Sequence, residues 1–561
     1  MHPHPLMLIT PPKVDPFSSP TGMVRIRGFN ADRALPVEIL AIIFFEGTKL
    51  EPKEKEAQNF LLYATHVSRY WRQTALSTPG LWWDVFISTC WTPRINLDRA
   101  VTWLARGKSC PVRIRSLLRG GWPPHQDEPL SDADIRTIQD HFVSNIGRIR
   151  SFVMDNRGVA LPPHHILSTL KRLRDAIALN GAPWLRDISI YGSAPMVRQP
   201  TVMVNWGAVD LGSLPALQNL LLRFASLVHL PQALPNLTPD LKRLSYKRYT
   251  LLDRESPDFT GSRRLSGVDV LEIMAECRQL THLDVSDIAD HFEILAYKGS
   301  GRIVNPSIEC VELSFRSAAA MVHFMRRASF PNATSMSLDV DFEATDDDAR
   351  HIDMMVPSVD YQLSYLTSLH ISTVCLTVAK SILTCAPNLE TLWIDGIDDW
   401  PFDNTEPPLE AIIDLLVGSV ELDGDTTMFD DKDYRTPPTS PLLSAVAHPS
   451  RLPCPKLRSI SIIDIEDLCI EQLLRLVDAY ILERTARSAQ RPRSGTPHHR
   501  SDPVFDVVHV GGLRQPPTPE QTKRLTQAVS NLELDARKWP EADDFDSYNS
   551  KTPWDFNLIT F

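Results

Sequence analysis

No run of apolar residues in this 561-residue chain approaches the roughly 18 needed to span a bilayer. The opening, MHPHPLMLITPPK, is too broken by proline for a secretory leader. Eight cysteines, at 90, 110, 277, 310, 375, 385, 454 and 469, form no CxxC pair. Scattered along a chain of this length, they read as reduced thiols of a cytoplasmic or nuclear protein, not as a disulfide framework. An excess of positive charge is missing too. The formal net charge of −11 is the wrong sign for a main partner made of nucleic acid, because phosphate binding needs a dense cationic patch.

The usual marks of catalysis are also lacking. There is no HExxH, no GxSxG and no Cys/His set at zinc-finger spacing. Gly299-Ser300-Gly301 has no following lysine to complete a phosphate loop. His164-His165 and His498-His499 are adjacent pairs, which do not converge on one metal ion and read as surface histidines. Asp346-Asp347-Asp348 lacks the alternating ligands and closing glutamate of a calcium loop and reads as a solvated helix start. The expectation is a non-enzyme with no cofactor or metal, meeting neither nucleic acid nor membrane.

What is present is the composition of a folded protein, 43% hydrophobic and 23% charged, organised around Leu35 to Trp83. Pro36 suits the first position of a helix, where its missing N–H costs no bond. Ile39 and Ile43 then share one face, and Leu40 and Phe44 the neighbouring one. With Ile42 and Phe45 also apolar, the helix is hydrophobic nearly all round and must be covered on several sides. After a charged loop from Thr48 to Gln58, the residues Phe60, Leu61, Leu62, Val67, Trp71 and Leu76 predict a second helical pair, stopped by Pro79. About fifty residues make a small core that usually needs outside help. Two readings stand: a bundle packed on itself or on the rest of the chain, or a module whose open face a second protein completes.

The segment resembles an F-box, whose pattern runs Leu-Pro-x-Glu-Ile/Leu-Leu-x-x-Ile-Phe, then Val-Cys-Arg-x-Trp, then Leu-Trp. Leu35, Pro36, Glu38, Ile39, Leu40, Ile43 and Phe44 match the first block. Val67, Arg69 and Trp71 match the second, with Ser68 at the cysteine position, and Leu81-Trp82 the third. The longer loop before the second helix is similar to F-box-like forms of large families in mushroom-forming fungi. The resemblance implies docking to the Skp adaptor of a cullin–RING ubiquitin ligase through Leu35, Pro36, Glu38, Ile39, Ile43, Phe44, Val67 and Trp71.

Further on, one signal recurs: an apolar residue, two others, an apolar residue, one other, an apolar residue. It occurs at Ile149-Phe152-Met154, Leu185-Ile188-Ile190, Leu217-Leu220-Leu222, Leu241-Leu244-Tyr246 and Leu280-Leu283-Val285. It continues at Ile308-Val311-Leu313, Ala333-Met336-Leu338, Leu366-Leu369-Ile371, Leu389-Leu392-Ile394 and Leu457-Ile460-Ile462. The last two residues of each set share one face of a strand, and the first anchors the turn leading in. Intervals of 36, 32, 24, 39, 28, 25, 33 and 23 residues lie near the period of a leucine-rich repeat; the final one is 68. Such units cannot bury their faces alone and must stack. Helical segments at Val268-Leu271-Met274-Ala275, Met321-Phe324-Met325 and Val378-Ile382-Leu383 make the repeats strand-plus-helix. An ordinary α/β sheet with Leu-rich strands is the other reading. Cys277, Cys385 and Cys454 fall just before strand anchors and are expected to pack inside those turns.

The expected fold is mixed α/β: a small N-terminal helical F-box-like module, then an irregular leucine-rich-repeat-like strand/helix solenoid. Residues 1–30 are expected to be a disordered Pro-rich start, 31–92 the module, 93–145 linking helices and a first strand, and 146–483 the solenoid. An acidic, Pro-rich insertion spans 398–455, with a short helix at Leu409 to Val417. Residues 484–503 are expected as a disordered basic linker and 504–561 as a cap and tail, with a strand at Val504 to Val510 and a helix at Glu520 to Leu534. The function these features imply is a substrate receptor of a Skp–cullin–F-box ligase, binding an unknown target protein through the repeats. The alternative is a non-ligase interaction scaffold whose N-terminal helices cap the solenoid.

Overall fold

The computed structural model describes residues 35–50, 54–88, 93–117, 131–155, 163–191, 204–205, 214–223, 228–229, 239–247, 265–288, 302–340, 363–398, 408–418, 452–463, 469–490, 503–511, 513 and 517–535. The chain divides into two compact units, one up to Trp83 joined by Ala105–Cys110, the other holding the rest. Among the described residues no helix is long and apolar enough to cross a membrane.

The first unit holds α1 (Val37–Leu50), α2 (Glu54–Val67), α3 (Arg69–Ser77) and a short 3-10 turn, Pro79–Trp82. Pro36 stands one place earlier than expected: its carbonyl accepts the first helical bond, from the Leu40 N–H at 3.0 Å. The predicted loop from Thr48 to Gln58 is shorter in the structure. α1 runs to Leu50 and α2 begins at Glu54. Ser68 breaks α2 from α3 and caps the latter, its Oγ accepting from the Trp71 N–H at 3.2 Å.

The second unit is built on one fully parallel sheet of fourteen strands. They are β1 (Asp84–Ser88), β2 (Val112–Leu117), β3 (Ile149–Asp155), β4 (Asp187–Tyr191), β5 (Asn219–Arg223), β6 (Arg243–Lys247) and β7 (His282–Ile288). There follow β8 (Cys310–Phe315), β9 (Ser335–Val340), β10 (Ser368–Cys375), β11 (Thr391–Asp398), β12 (Ser459–Ile463), β13 (Phe505–Gly511) and β14 (Val529–Asp535). Each strand pairs with its neighbours in the chain, and the sheet does not close into a barrel.

All ten predicted triplets fall in this sheet. Their strand residues align in two inward rows, Phe152–Ile188–Leu220–Leu244–Leu283 and on through Val311, Met336, Leu369, Leu392 and Ile460, with Met154 through Ile462 beside them. Every anchor from Ile149 to Leu457 is buried. The anchor N–H donates to the carbonyl three residues earlier, as in Leu217 to Leu214, Leu280 to Cys277, Leu389 to Ala386 and Leu457 to Cys454, at 3.0–3.1 Å. Cys277 and Cys454 therefore sit inside these turns, fully buried, whereas Cys385 stands one residue before the turn that Ala386 closes and is only half-buried. Burial pushes the Cys277 and Cys454 thiols up to about 12.

Helices cover the inward face. They are α4 (Pro93–Arg106), α5 (Asp132–Asn145), α6 (Pro163–Asn180), α7 (Gly267–Glu276), α8 (Ala318–Arg327), α9 (Leu376–Thr384), α10 (Pro408–Val417), α11 (Ile470–Gln490) and α12 (Pro519–Ala528). Ring contacts tie helix to strand: Phe142 to Phe152 at 5.4 Å, Phe324 to Phe315 at 5.5 Å, Tyr480 to Phe505 at 5.1 Å. Capping boxes at Ser131/Asp134, Ser266/Asp269 and Thr518/Gln521 set three helix starts. Buried Asn305 finishes α7, its Nδ2 donating to the Met274 and Cys277 carbonyls at 2.9 and 3.0 Å.

The sheet extends further than the anticipated repeats at both ends. β1 lies within residues first assigned to the module, while β13 and β14 continue the same ladder beyond residue 483. The predicted helix at Glu520 to Leu534 stops at Ala528. Beyond it, Leu532 and Leu534 fit period-2 pairing opposite Val508 and Val510. α11 runs to Gln490, so Arg484 to Gln490 is helical and not linker; the Glu483–Arg487 pair at 2.9 Å supports its last turns. Gly299 to Gly301, Asp346 to Asp348, His498-His499, the Pro-rich start and most of the acidic insertion lie outside the described residues.

Two candidate docking surfaces

The first surface is the outer side of α1. Leu40 and Phe44 point inward and are fully buried with Leu61, Ala75 and Trp82. Phe44 meets Trp71 edge-on at 5.2 Å, and the Trp82 Nε1–H donates to the Ala75 carbonyl at 2.9 Å. The Tyr70 hydroxyl donates to the Leu35 carbonyl at 2.9 Å, pinning the start of the unit. On the other side Ile39, Ile42 and Ile43, spaced i, i+3, i+4, form one stripe that is 44%, 57% and 42% exposed. Leu35, Val37, Phe45 and, at the end of α2, Val67 are also exposed.

Of the eight residues expected at an adaptor interface, Leu35, Pro36, Glu38, Ile39, Ile43 and Val67 are exposed. Phe44 belongs to the core and Trp71 is half-buried against it, so both support the surface from behind. Ile42, which the pattern did not single out, is the most exposed isoleucine of the stripe. Its place three residues after Ile39 was the available signal.

The second surface is the outward face of the sheet. Its central row reads Phe86, Arg115, Val153, Ser189, Leu221, Ser245, Asp284 and Glu312 across β1–β8. Polar groups here are locked to one another. Arg115 holds Asp84 with Nε at 3.1 Å and Nη2 at 2.5 Å. Lys247 Nζ lies 3.1 Å from Asp284 and 2.9 Å from Glu312, and Ser245 Oγ donates to Asp284 at 2.7 Å. Burial works against the Lys247 charge, but the Asp284 and Glu312 carboxylates outweigh it and hold the ammonium above the usual lysine range. The depression beside them, about 50 Å³, falls well short of the ~300 Å³ at which small-molecule sites begin.

Across β9–β14 the row continues as Ser337, His370, Trp393, Ser461, His509 and Glu533. Trp393 is 38% exposed and its ring lies 5.5 Å from that of His370. Among the described residues no three His, Cys, Asp or Glu side chains are grouped to hold a metal ion. No family model matches the chain, and no curated protein matches it.

Proposed function

We propose that this chain is the substrate-binding subunit of a Skp–cullin–F-box ubiquitin ligase. The helical unit docks to the Skp adaptor, and the sheet unit, read as an irregular leucine-rich-repeat-like solenoid, holds a target protein. The observation that carries the reading is the isoleucine stripe of α1, left open to solvent beside a core of Leu40, Phe44 and Trp82. Exposed apolar side chains clustered on one helix mark an interaction site, and Ile39 and Ile43 of this stripe stand where the F-box pattern has apolar residues. Anchored turns, inward rows and strands paired in chain order support the repeat reading. The subunit raises the effective concentration of a target near the ubiquitin-carrying enzyme and makes no bonds itself. It works where that adaptor resides, in cytoplasm or nucleus.

The test is co-expression of the full chain with a Skp-type adaptor. A stable complex that is lost in Leu35→Ala/Pro36→Ala supports the reading. A soluble monomeric chain that ignores the adaptor overturns it in favour of the interaction scaffold.

A further inference from the structure

The turns leading into the strands repeat one another, so the residue that follows each buried anchor stands at the same place on successive rungs of the sheet rim. Leading into β3, β4, β5 and β6 these residues are Arg150, Arg186, Gln218 and Lys242. Their backbones are bonded in that order. The Arg186 N–H donates to the Arg150 carbonyl at 2.7 Å, Gln218 to Arg186 at 2.8 Å and Lys242 to Gln218 at 2.8 Å. Neighbouring strands lie about 4.8 Å apart, so three cations fall within about 14 Å.

Elsewhere on the rim this position serves the fold. Thr281, Thr334 and Thr367 each donate a hydroxyl to the carbonyl of the rung before, at 3.0, 3.2 and 3.0 Å. The cationic rungs make no such bond. Arg150 and Lys242 are exposed and Arg186 is half-buried, and among the described residues none of the three is in an ion pair. Asp187 and Asp240, close by in the chain, are held instead by the amides of Asn219 at 2.5 Å and Gln279 at 3.1 Å. Arginines level on adjacent strands repel, so Arg150 beside Arg186 works against the sheet.

The position before the anchor shows the same contrast. Asn332 and Asn388 donate from there to the preceding turn, at the Pro306 and Ser364 carbonyls. Leading into β4 the residue is Trp184, 53% exposed, with Arg186 two residues on across buried Leu185. Its indole N–H, a donor only, meets no acceptor among the described residues. An exposed tryptophan beside unpaired arginines has the composition of an interface anchor.

We propose that this rim of β3–β6 docks an acidic segment of a partner protein, its carboxylates on Arg150, Arg186 and Lys242 and its chain against Trp184. Alternate residues of an extended segment lie about 7 Å apart, so acids at i, i+2 and i+4 cover the same ~14 Å. Three cations on a chain of net charge −11 favour a peptide over a nucleic acid, whose phosphates need a denser patch. The inference rests on the reading that the sheet unit holds the ligase target and narrows that target to one presenting an acidic stretch.

The experiment uses the full chain and two fluorescein-labelled Gly/Ser peptides of equal length, carrying glutamate or glutamine at every second position. Anisotropy should show saturable binding of the glutamate peptide, at least about 10-fold tighter than glutamine and weakening as salt rises. Arg150→Gln/Arg186→Gln and Trp184→Ala should each weaken it about 5-fold or more, whereas Arg150→Lys/Arg186→Lys should keep most of it. Lys242→Gln serves if the double glutamine variant misfolds, and it too should weaken the glutamate peptide. Equal binding of the two peptides overturns the inference, as do folded variants that bind like the parent. A labelled oligothymidine that binds more tightly than the glutamate peptide, and is lost in the same variants, overturns it in favour of nucleic acid. Adaptor capture on the same proteins separates the two readings. Absent glutamate preference with capture intact sinks only this inference, and absent capture with the preference intact sinks only the ligase assignment.

Discussion

Replacing Ile39 and Ile43 together by alanine removes three carbons at each of two positions on the α1 stripe. Full burial of those carbons is worth ~2.4 kcal/mol per residue at ~0.8 kcal/mol per carbon. The side chains are 44% and 42% exposed, so a partner that covers them gains somewhat under half of that, about 1 kcal/mol each. The double variant should therefore bind a Skp-type adaptor about 30-fold more weakly, near 2 kcal/mol. Isothermal titration calorimetry on the full chain reads this directly. The covered part of each side chain also contributes to the unit's own core, so circular dichroism must accompany the titration. Leu40→Ala supplies the opposite case. That side chain is wholly buried, and its loss should destabilise the unit by about 2–5 kcal/mol while leaving the exposed stripe in place. The reasoning is refuted if Ile39→Ala/Ile43→Ala, still helical, binds within twofold of the parent.

Three other perturbations follow from the packing. Asn305→Ala removes the Nδ2 donor of the Met274 and Cys277 carbonyls, the second of which keeps the Leu280 N–H, and should cost about 1–3 kcal/mol in urea unfolding; no loss would mean that the Met274 carbonyl finds water. Asp84→Asn leaves Arg115, 8% exposed at its side chain, without this carboxylate and should cost about 3 kcal/mol, with Arg115→Met added in the same chain restoring most of it. At pH 8, iodoacetamide should leave Cys277 and Cys454 unmodified until the chain unfolds, read by peptide mass spectrometry; early labelling of either would contradict their burial.

The inward half of the fold was legible because its signal is local and repeated. Leu217, Leu220 and Leu222 state in six residues which position anchors the turn and which two enter the core, and the register adds only the partner. α7, α8 and α9 were legible for the same reason, with apolar residues at helical spacing. The end of α12 was not. Glu520 to Leu534 has residues that suit a helix, and only pairing of Leu532 and Leu534 with β13, a long-range contact, turns the last six into strand. On α1 the helical spacing put Ile39 and Ile43 on one face and Leu40 and Phe44 on the neighbouring one, while the F-box pattern named both isoleucines and Phe44 for the same interface. Only packing against Trp71 divides them into a covered row and an open one.

The outward face of the sheet was the least legible part, and the reason bears on what it does. An inward position is constrained by volume, since a buried methylene added or lost is felt as a cavity or a clash. An outward position is constrained by its cross-strand neighbours and by whatever lies over it. Lys247 against Asp284 and Glu312 is the first kind of outward constraint: three strands answer one another, and the cluster is complete within the chain. Trp393 shows how little the sequence says of the rest: alternation with Leu392 and Ile394 turns it outward, but its contact with His370 at 5.5 Å and its 38% exposure are set by the neighbouring strand.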